Sequence, residues 1–463
     1  KNIRCGNSLI SYDIFDQLTL FDEEEKERIN PFDWNSKSTG FGEIMERGGF
    51  DVVIGNPPYV RQEMLGEFKQ HFQQHYQVYH GVADLYAYFI EKGMSLVNPK
   101  GLFGIIVSNK WMRANYGEPL RNWIKRQRIV RIIDFGDLPV FQDATTYPCI
   151  LILSKLNPRE KFPVTKVSTL KFPSLDEYVD NNQYPVNQRT LNDKGWSLTD
   201  EKTDRLIKKI SSRGVPLGKY VNNKIYYGIK TGLNKAFVID EETKNRLIEE
   251  DPKSVDLIKP FLAGKDIKRY QPLRAEKYII LIKKGWTNTK SGIEKNKWKW
   301  IQEDYHTIAK HLEKFTKEAE KRYDKGDYWW ELRACDYYED FEKPKIIWGN
   351  LCIESPFTIE KNAYFINAPS CFIPSANIYL LGLINSSLLW FYLKQIAISR
   401  SGGFIEAKPI YVKQLPIYMI NPENIKETII QGQIIQLVDT IIELNKKKAA
   451  LPPSSKRDKI ERE

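Results

Sequence analysis

Cysteine is scarce in this chain: Cys5, Cys149, Cys335, Cys352 and Cys371 lie far apart among 463 residues, with no CxxC pair. That spacing argues against a cysteine-based zinc site and a disulfide framework, and it fits a reducing cytoplasm. Histidine is equally sparse. His71, His75 and His80 offer no recognisable ligand pattern with a carboxylate or cysteine, so they read as a surface helix and no metal is expected. Long hydrophobic runs are missing as well. The most apolar stretch, Tyr379 to Leu393, is interrupted by Asn385, Ser386 and Ser387 and is too short to span a bilayer. It reads as a buried helix, and a membrane is not an expected partner. No signal peptide opens the chain and no internal repeat is visible. The first residue is Lys1 and a strand-like phrase follows at once. The expectation is a fragment of a longer parent whose N-terminal sequence lies outside it.

What the chain does contain is a globular composition, 41% hydrophobic and 13% aromatic. That is too rich in aromatics for a disordered chain, and the length allows two or three domains with their own cores. Lysine and arginine number 70 against 59 acidic residues, a formal charge of +11. The excess suits a polyanionic partner without proving one.

Along residues 1–165, short apolar runs alternate with amphipathic stretches. Asp51-Val52-Val53-Ile54-Gly55 reads as a buried strand ending in a turn. Asp84 is placed to cap a helix carrying Leu85, Tyr88, Phe89 and Leu96 at helical spacing. Pro99-Lys100-Gly101 breaks that helix, and a strand at 102–108, a helix at 118–127 and strands at 129–135 and 149–153 follow. The alternation predicts an α/β domain with a mainly parallel sheet, whose ligands sit at the carboxyl ends of the strands. Residues 166–205 read as a connector. Residues 206–420 mix short β-like runs, aromatics and basic residues without βα alternation, and predict a mixed α+β domain. Within it, residues 310–327 read as a charge-dense helix with a solvated face. Residues 421–463 hold an amphipathic helix at about 427–448 and a loose tail.

Directly after the strand 51–54 stands Asn56-Pro57-Pro58-Tyr59. Two prolines cannot continue a sheet, and they fix a rigid loop at the carboxyl end of the strand. A bare four-residue match is more often a turn than a site; the strand before it changes the weighting. The phrase from Gly48 to Val60 resembles the catalytic motif of N6-adenine DNA methyltransferases of the gamma arrangement, particularly the fused type IIG restriction-modification enzymes and the Taq-type methyltransferases. The resemblance implies a Rossmann-like methyltransferase domain, incomplete at its N-terminus, and site-specific methylation of adenine in double-stranded DNA by S-adenosylmethionine. The chemistry accounts for the residue types. An exocyclic adenine amine is conjugated with its ring and is a poor nucleophile. If the Asn56 side-chain oxygen and the Pro57 carbonyl accept its hydrogens, its lone pair is directed at the methyl donor, by positioning and electrostatics alone. Pro58 stiffens the loop, and Tyr59 would stack on the base once it leaves the duplex.

Further phrases stand in the family's order. Asn2 to Leu9 resembles the motif that holds the cofactor's adenine ring; the residue there is commonly Asp, and here it is Asn7. Asp84-Leu85-Tyr86 and Pro99 to Trp111 resemble motifs lining the cofactor and base pocket. The cofactor set implied is therefore Asn7, Asp84 and Asn56. The resemblance also places Phe141 against the flipped base, although a core Phe beside strand 149–153 remains an equal reading of the residues alone. Ile225 to Phe237, Phe261 to Ile267, Trp329 to Arg333 and Lys343 to Ile347 resemble the family's target-recognition domain. Between Lys259 and Trp300, twelve basic residues face three acidic ones, interleaved with Tyr270, Tyr278, Trp286, Trp298 and Trp300. Phosphate contacts are expected from Lys230, Asn234, Lys235, Lys265, Lys268, Arg269, Lys283 and Lys284. The alternative is a basic surface whose stems lie over an aromatic core.

The family's glycine-rich loop and the acidic residue for the cofactor ribose have no counterpart at the required place, and Gly40-Phe41-Gly42 matches only superficially. The expectation is a cofactor site only partly encoded by this chain, with the parent's N-terminal region as a second partner. A nuclease there would bring magnesium. Glu406-Ala407-Lys408 mimics the end of a nuclease motif but reads as a loop of the recognition domain. The family implies a bacterial or archaeal cytoplasm. Three other readings stay open: a non-catalytic specificity module that only reads DNA, a degenerate methyltransferase fold used as a scaffold, and a methyltransferase of a phage-exclusion system. Asn56 and Tyr59 speak against the first, since a pure reader has no use for a pair that grips a flipped base.

Overall fold

The computed structural model describes residues 3–17, 23–58, 60, 65, 66, 68–141 and 146–452. The chain divides into two compact units, residues 1–206 with 398–403 and residues 207–397 with 404–463.

The first unit is built on one six-stranded sheet: β1 (Phe50–Gly55), β2 (Val97–Ser108), β3 (Arg128–Asp134), β4 (Pro148–Ser154), β5 (Lys161–Lys166) and β6 (Tyr184–Asn187), in the order β1-β2-β4-β3-β5-β6. The strands expected at 51–54, 102–108, 129–135 and 149–153 are all present. The mainly parallel arrangement is not. β1–β2 and β3–β5 pair in parallel, whereas β4 runs antiparallel to both β2 and β3, and β6 antiparallel to β5. The reason lies in the links. Helix α2 (Tyr86–Leu96; α1, Lys69–His75, precedes it) carries the chain back between β1 and β2, as a parallel pair requires. The link from 135 to 147 holds no crossover helix among its described residues, so β4 starts at the edge where β3 stops.

Residues 166–205 are more than a connector. They contain the end of β5, the helix Leu175–Asn182 and strand β6, and Val179 packs on Ile133, Phe135 and Val167. α2 already ends at Leu96, and Pro99-Lys100-Gly101, expected to break it, lies inside β2, where the register with β1 slips between Phe50 and Val52.

The core of this unit sets the inward residues of β2 (Phe103, Ile105, Val107) and β4 (Cys149, Leu151, Leu153) against Ile90 and Met94 of α2. Each fully buried side chain of this size contributes about 1.5–3 kcal/mol. Helix and sheet meet closely at Gly93, where a Cβ would stand 2.1 Å from Phe103 Cε2. β1 is an edge strand, with Val52 and Ile54 exposed by 59% and 82%.

The second unit holds two four-stranded sheets. Numbered onwards, β7 is Tyr226–Tyr227, β8 Val238–Asp240, β9 Ile258–Leu262, β10 Lys277–Ile280, β11 Lys345–Trp348, β12 Thr358–Glu360, β13 Phe365–Ile366 and β14 Cys371–Ile373. Their orders are β13-β9-β10-β8 and β12-β11-β14-β7. The expected buried helix at 379–393 is two helices, Ile378–Ile384 and Ser387–Ile396. Ser386 starts the second by accepting from Leu389 N, while the Asn385 carboxamide is held by the Phe357 backbone. The C-terminal helix, Ile425–Ala449, approaches the first of them at Gly382, where a Cβ would meet Ile434 and Val438 at 2.9 Å.

Residues 310–327 are not simply a solvated face. Ala319 is fully buried, and the guanidinium of the buried Arg322 donates to the carbonyls of Thr231, Asp324, Trp329 and Glu331. No helix among the described residues is long and apolar enough to cross a membrane.

Candidate functional site in the first unit

β1, β2 and β3 run in the same direction, so their carboxyl ends share one edge of the sheet. Each ends in a polar group: Asn56 after β1, Asn109 after β2, and Asp134 closing β3. Asn109 Nδ2 donates to Asp134 Oδ1 at 2.8 Å, and the Lys110 ammonium lies 5.1 Å from the centre of the Tyr147 ring, just before β4. Asp134 and Tyr147 were not singled out in the sequence, and Asn109 and Lys110 only as part of the phrase Pro99 to Trp111. Only the direction of the strands puts them beside Asn56.

Asn56 is exposed, Pro57 buried and Pro58 exposed; Tyr59 lies outside the described residues. No described residue hydrogen-bonds to the Asn56 carboxamide. A rigid loop that holds an unpaired amide at a strand end is what an acceptor for an incoming amine requires. The loop borders a cleft of about 280 Å³, lined among others by Ser8, Trp34, residues 53–58, Phe89, Lys92 and Phe103. Burial holds the Lys92 amine below its ordinary range.

Ser8 ties the Asn7 segment to this cleft. Its carbonyl accepts from Trp34 Nε1 at 3.1 Å, and Trp34 packs with Phe32, Phe41 and Phe50. Asn7 itself forms a bridge with Pro31, and its Oδ1 accepts from Leu9 N at 3.3 Å. Trp34 has no place in the sequence-based set, and nothing local to its segment distinguishes it.

Asp84 does not line the cleft and does not cap α2. The helix starts at Tyr86 with Leu85 before it. Leu85 N donates to Val60 O at 3.2 Å, which sets this segment against the loop that follows β1. Asp84 stands near the Tyr86–Tyr116 hydroxyl pair, itself 3.0 Å apart, whose phenols burial pushes well up. Phe141 is half-buried in the link between β3 and β4, on the same sheet edge as Asn56 but outside the cleft lining.

Comparison with known proteins decides the family of each part. Residues 1–141 match the Eco57I restriction-modification methylase family, and residues 259–417 match the TaqI-like C-terminal specificity domain. This chain joins an Eco57I-type methylase region to a TaqI-like specificity domain. The type II restriction enzyme and methyltransferase RM.Eco57I of Escherichia coli is 28% identical over 252 residues, covering 52% of this chain and 23% of that protein. The type II methyltransferase M.PaeR7I of Pseudomonas aeruginosa is 30% identical over 239 residues, covering 48% and 39%. The chain thus spans less than half the length of either. Among solved structures, the type IIL restriction-modification enzyme MmeI in complex with DNA aligns over 95% of this chain and 55% of that one. Its TM-score is 0.53 at 12% identity, a likeness of fold.

In the unit that carries the specificity domain, the eight residues expected to meet DNA fall into two groups. Four lysines already hold carboxylates: Lys230 with Asp324 at 2.7 Å, Lys235 with Glu318 at 2.5 Å, Lys283 with Glu342 at 3.9 Å and Lys284 with Asp327 at 3.5 Å. Asn234 Oδ1 accepts from the Thr231 hydroxyl at 2.6 Å. Lys265 and Lys268 are exposed, and the guanidinium of Arg269 lies 5.2 Å from the centre of the Tyr270 ring. The interleaved aromatics do not project as free stacking platforms. Trp298 packs on Trp329 and Trp330, and Trp286 on Trp300 and Tyr305. Glu406 closes the strand Phe404–Glu406, rather than lying in a loop, and pairs with Lys408 at 2.8 Å.

Proposed function

We propose that this chain carries the catalytic loop and target-recognition domain of a site-specific DNA methyltransferase acting on adenine N6 in double-stranded DNA, with S-adenosylmethionine as donor. The observation that carries the reading is the exposed Asn56 carboxamide, unpaired among the described residues. It is held by Pro57 and Pro58 at the carboxyl end of β1, on the rim of a cleft that Ser8 also lines.

The cleft suits S-adenosylmethionine in part. Trp34 and Phe89 supply apolar walls, and Asn7, next to Ser8 but outside the cleft lining, keeps on Oδ1 a second lone pair for the cofactor's adenine amine. When bound, the cofactor supplies an electrophilic methyl group. The work of this chain is to orient the nucleophile. The Asn56 oxygen and the Pro57 carbonyl accept the two hydrogens of the target amine, which withdraws its lone pair from the ring and points it out of the base plane. Tyr59 and Phe141 would hold the extruded base by stacking. No side-chain base is needed, because the amine gives up its proton after the new bond forms.

Association of the methyl activity with a nuclease in the same protein, with its magnesium, belongs to the same reading and rests on the relatives' names alone. The test is direct. A protein carrying this chain is incubated with labelled S-adenosylmethionine and unmethylated duplex DNA, and the DNA is digested to nucleosides. Label in N6-methyladenine supports the reading. Label in a methylcytosine overturns the base assignment, and tight DNA binding without label favours a module that only reads sequence.

A further inference from the structure

Asp13 is far in sequence from His71 and His75 and adjacent to them in space. One ligand-competent atom from each, a ring nitrogen or a carboxylate oxygen, lies within 4.8 Å of the others. His71 and His75 stand four residues apart on helix α1, and their rings stack with centroids 4.1 Å apart. His71 is 3% exposed, and its Nδ1 is buried without a hydrogen-bond partner among the described residues. Asp13 comes from the turn before the short helix Ile14–Gln17.

Each of the two more accessible groups is already oriented. His75 Nδ1 is 2.8 Å from the His71 carbonyl, a contact that requires a proton on Nδ1 and makes Nε2 the nitrogen available to a second proton or a metal ion. Nε2 then faces Asp13 Oδ2 at 2.7 Å. A lone pair against a carboxylate at that distance is repulsive unless a cation, either a proton or a metal ion, lies between them. Asp13 Oδ1 in turn accepts from the Ser11 hydroxyl at 2.8 Å. Imidazoles whose other nitrogen is tied to a carbonyl, and carboxylates steadied by a hydroxyl, are the outer contacts that metal ligands carry.

We propose that Asp13, His71 and His75 form a binding site for a divalent transition-metal ion of the zinc class, which pins the N-terminal segment to helix α1. Two imidazole nitrogens and one carboxylate oxygen suit zinc, with a fourth position left for water. Bonds of about 2.1 Å set ligand atoms about 3.4 Å apart in a tetrahedron. Binding therefore separates His75 Nε2 from Asp13 Oδ2 by roughly 0.7 Å and draws in the His71 ring, a movement that side-chain rotation supplies.

The clamp has a purpose in the fold. The Tyr76 hydroxyl donates to Leu9 O at 2.8 Å on the same seam, so the ion reinforces the attachment of the segment that bears Asn7 and Ser8. The charge on Lys92 acts on both His71 and Asp13 and opposes the ion.

The test uses the 463-residue chain stripped with a chelator and titrated with cobalt(II), whose visible absorption reports low-coordinate nitrogen and oxygen ligation. Expected are saturation at one ion per chain, displacement by zinc, and a melting temperature that rises with zinc concentration. Asp13→Asn and His75→Gln sit at partly exposed positions, and each should weaken binding by roughly tenfold or more. His80→Gln should leave it unchanged. Circular dichroism in chelator confirms that the variants fold. The proposal is overturned if the folded chain takes up no cobalt, or if binding survives both Asp13→Asn and His75→Gln. Neither readout involves DNA or methyl transfer, so the outcome is independent of the enzymatic reading.

Discussion

Replacing Asn56 by alanine separates chemistry from stability more cleanly than any other change in the methylase region. The side chain is exposed and no described residue hydrogen-bonds to it, so its removal leaves nothing unsatisfied in the folded protein. Surface substitutions of that kind shift stability by about 0.5 kcal/mol or less. The loop itself keeps its shape, because Pro57 and Pro58 remain and Val60 N still donates to Pro58 O at 3.0 Å. On the proposed function, what is lost is one of two acceptors for the target amine. Removing one preorganised hydrogen-bonding group from a site of developing charge costs about 2.7–4 kcal/mol, or 10²–10³ in rate. The expected result is that single-turnover methyl transfer to an adenine-containing duplex falls by about two to three orders of magnitude, while melting temperature and DNA affinity stay near wild type. Asn56→Gln is the stricter companion. It keeps the amide but moves it by about one methylene, and a misplacement of about 1 Å costs on the order of 10²-fold. A transfer rate within about threefold of wild type for Asn56→Ala would refute the argument, because the amide would then have no part in the transition state.

Three further outcomes follow from the same coordinates. Asn7→Ala should weaken S-adenosylmethionine binding by calorimetry, and Asn7→Asp should restore or strengthen it, since a carboxylate is the better acceptor; equal affinities in all three would remove Asn7 from the site. DNA binding should be salt-dependent with a logarithmic slope of about −3 if Lys265, Lys268 and Arg269 are the cations that meet phosphate, measured by fluorescence anisotropy; a slope near zero would leave them as surface residues. Lys345 and Glu360 form an ion pair with both side chains fully buried, so Lys345→Met should destabilise the second unit by about 3–5 kcal/mol in urea unfolding, and a loss below about 1 kcal/mol would show that the pair is not held dry.

The parts that could be read from the sequence are those written into contiguous residues. Asn56-Pro57-Pro58 declares a loop because proline forbids the alternatives, and Asp51 to Gly55 declares a strand because its neighbours are β-branched and end in glycine. Strand positions to Leu153 and the long C-terminal helix follow from the same local periodicity. Strand direction does not, because it depends on whether the link between two strands carries a crossover, and the link 135–147 gives no periodic signal either way. β5 and β6 were hidden by Pro163 and Pro185, which sit in two strands that pair antiparallel. Both residues lower the β signal that a strand otherwise gives.

The candidate sites divide along the same line, with a consequence for how basic residues are counted. Lys230, Lys235, Lys283 and Lys284 look identical in sequence to Lys265 and Lys268, yet each of the first four faces a carboxylate at least 40 positions away. Such partners are selected by the fold, and they screen a lysine before any phosphate arrives. Where both partners are exposed, as in Lys235–Glu318, such a pair contributes only about 0–1 kcal/mol and can be exchanged at little cost, whereas Asp324 beside Lys230 is largely buried. If this unit binds DNA as proposed, the four lysines should contribute only where a phosphate replaces the carboxylate, and Lys265, Lys268 and Arg269 should set the first contact. In the same way Asp13 is invisible as a partner of His71 and His75 until the chain has folded, because the turn before Ile14 and helix α1 meet only in three dimensions. Local chemistry thus announces the loop that presents Asn56, whereas the charges that neighbour it, and those that would neighbour DNA, are assigned by tertiary pairing.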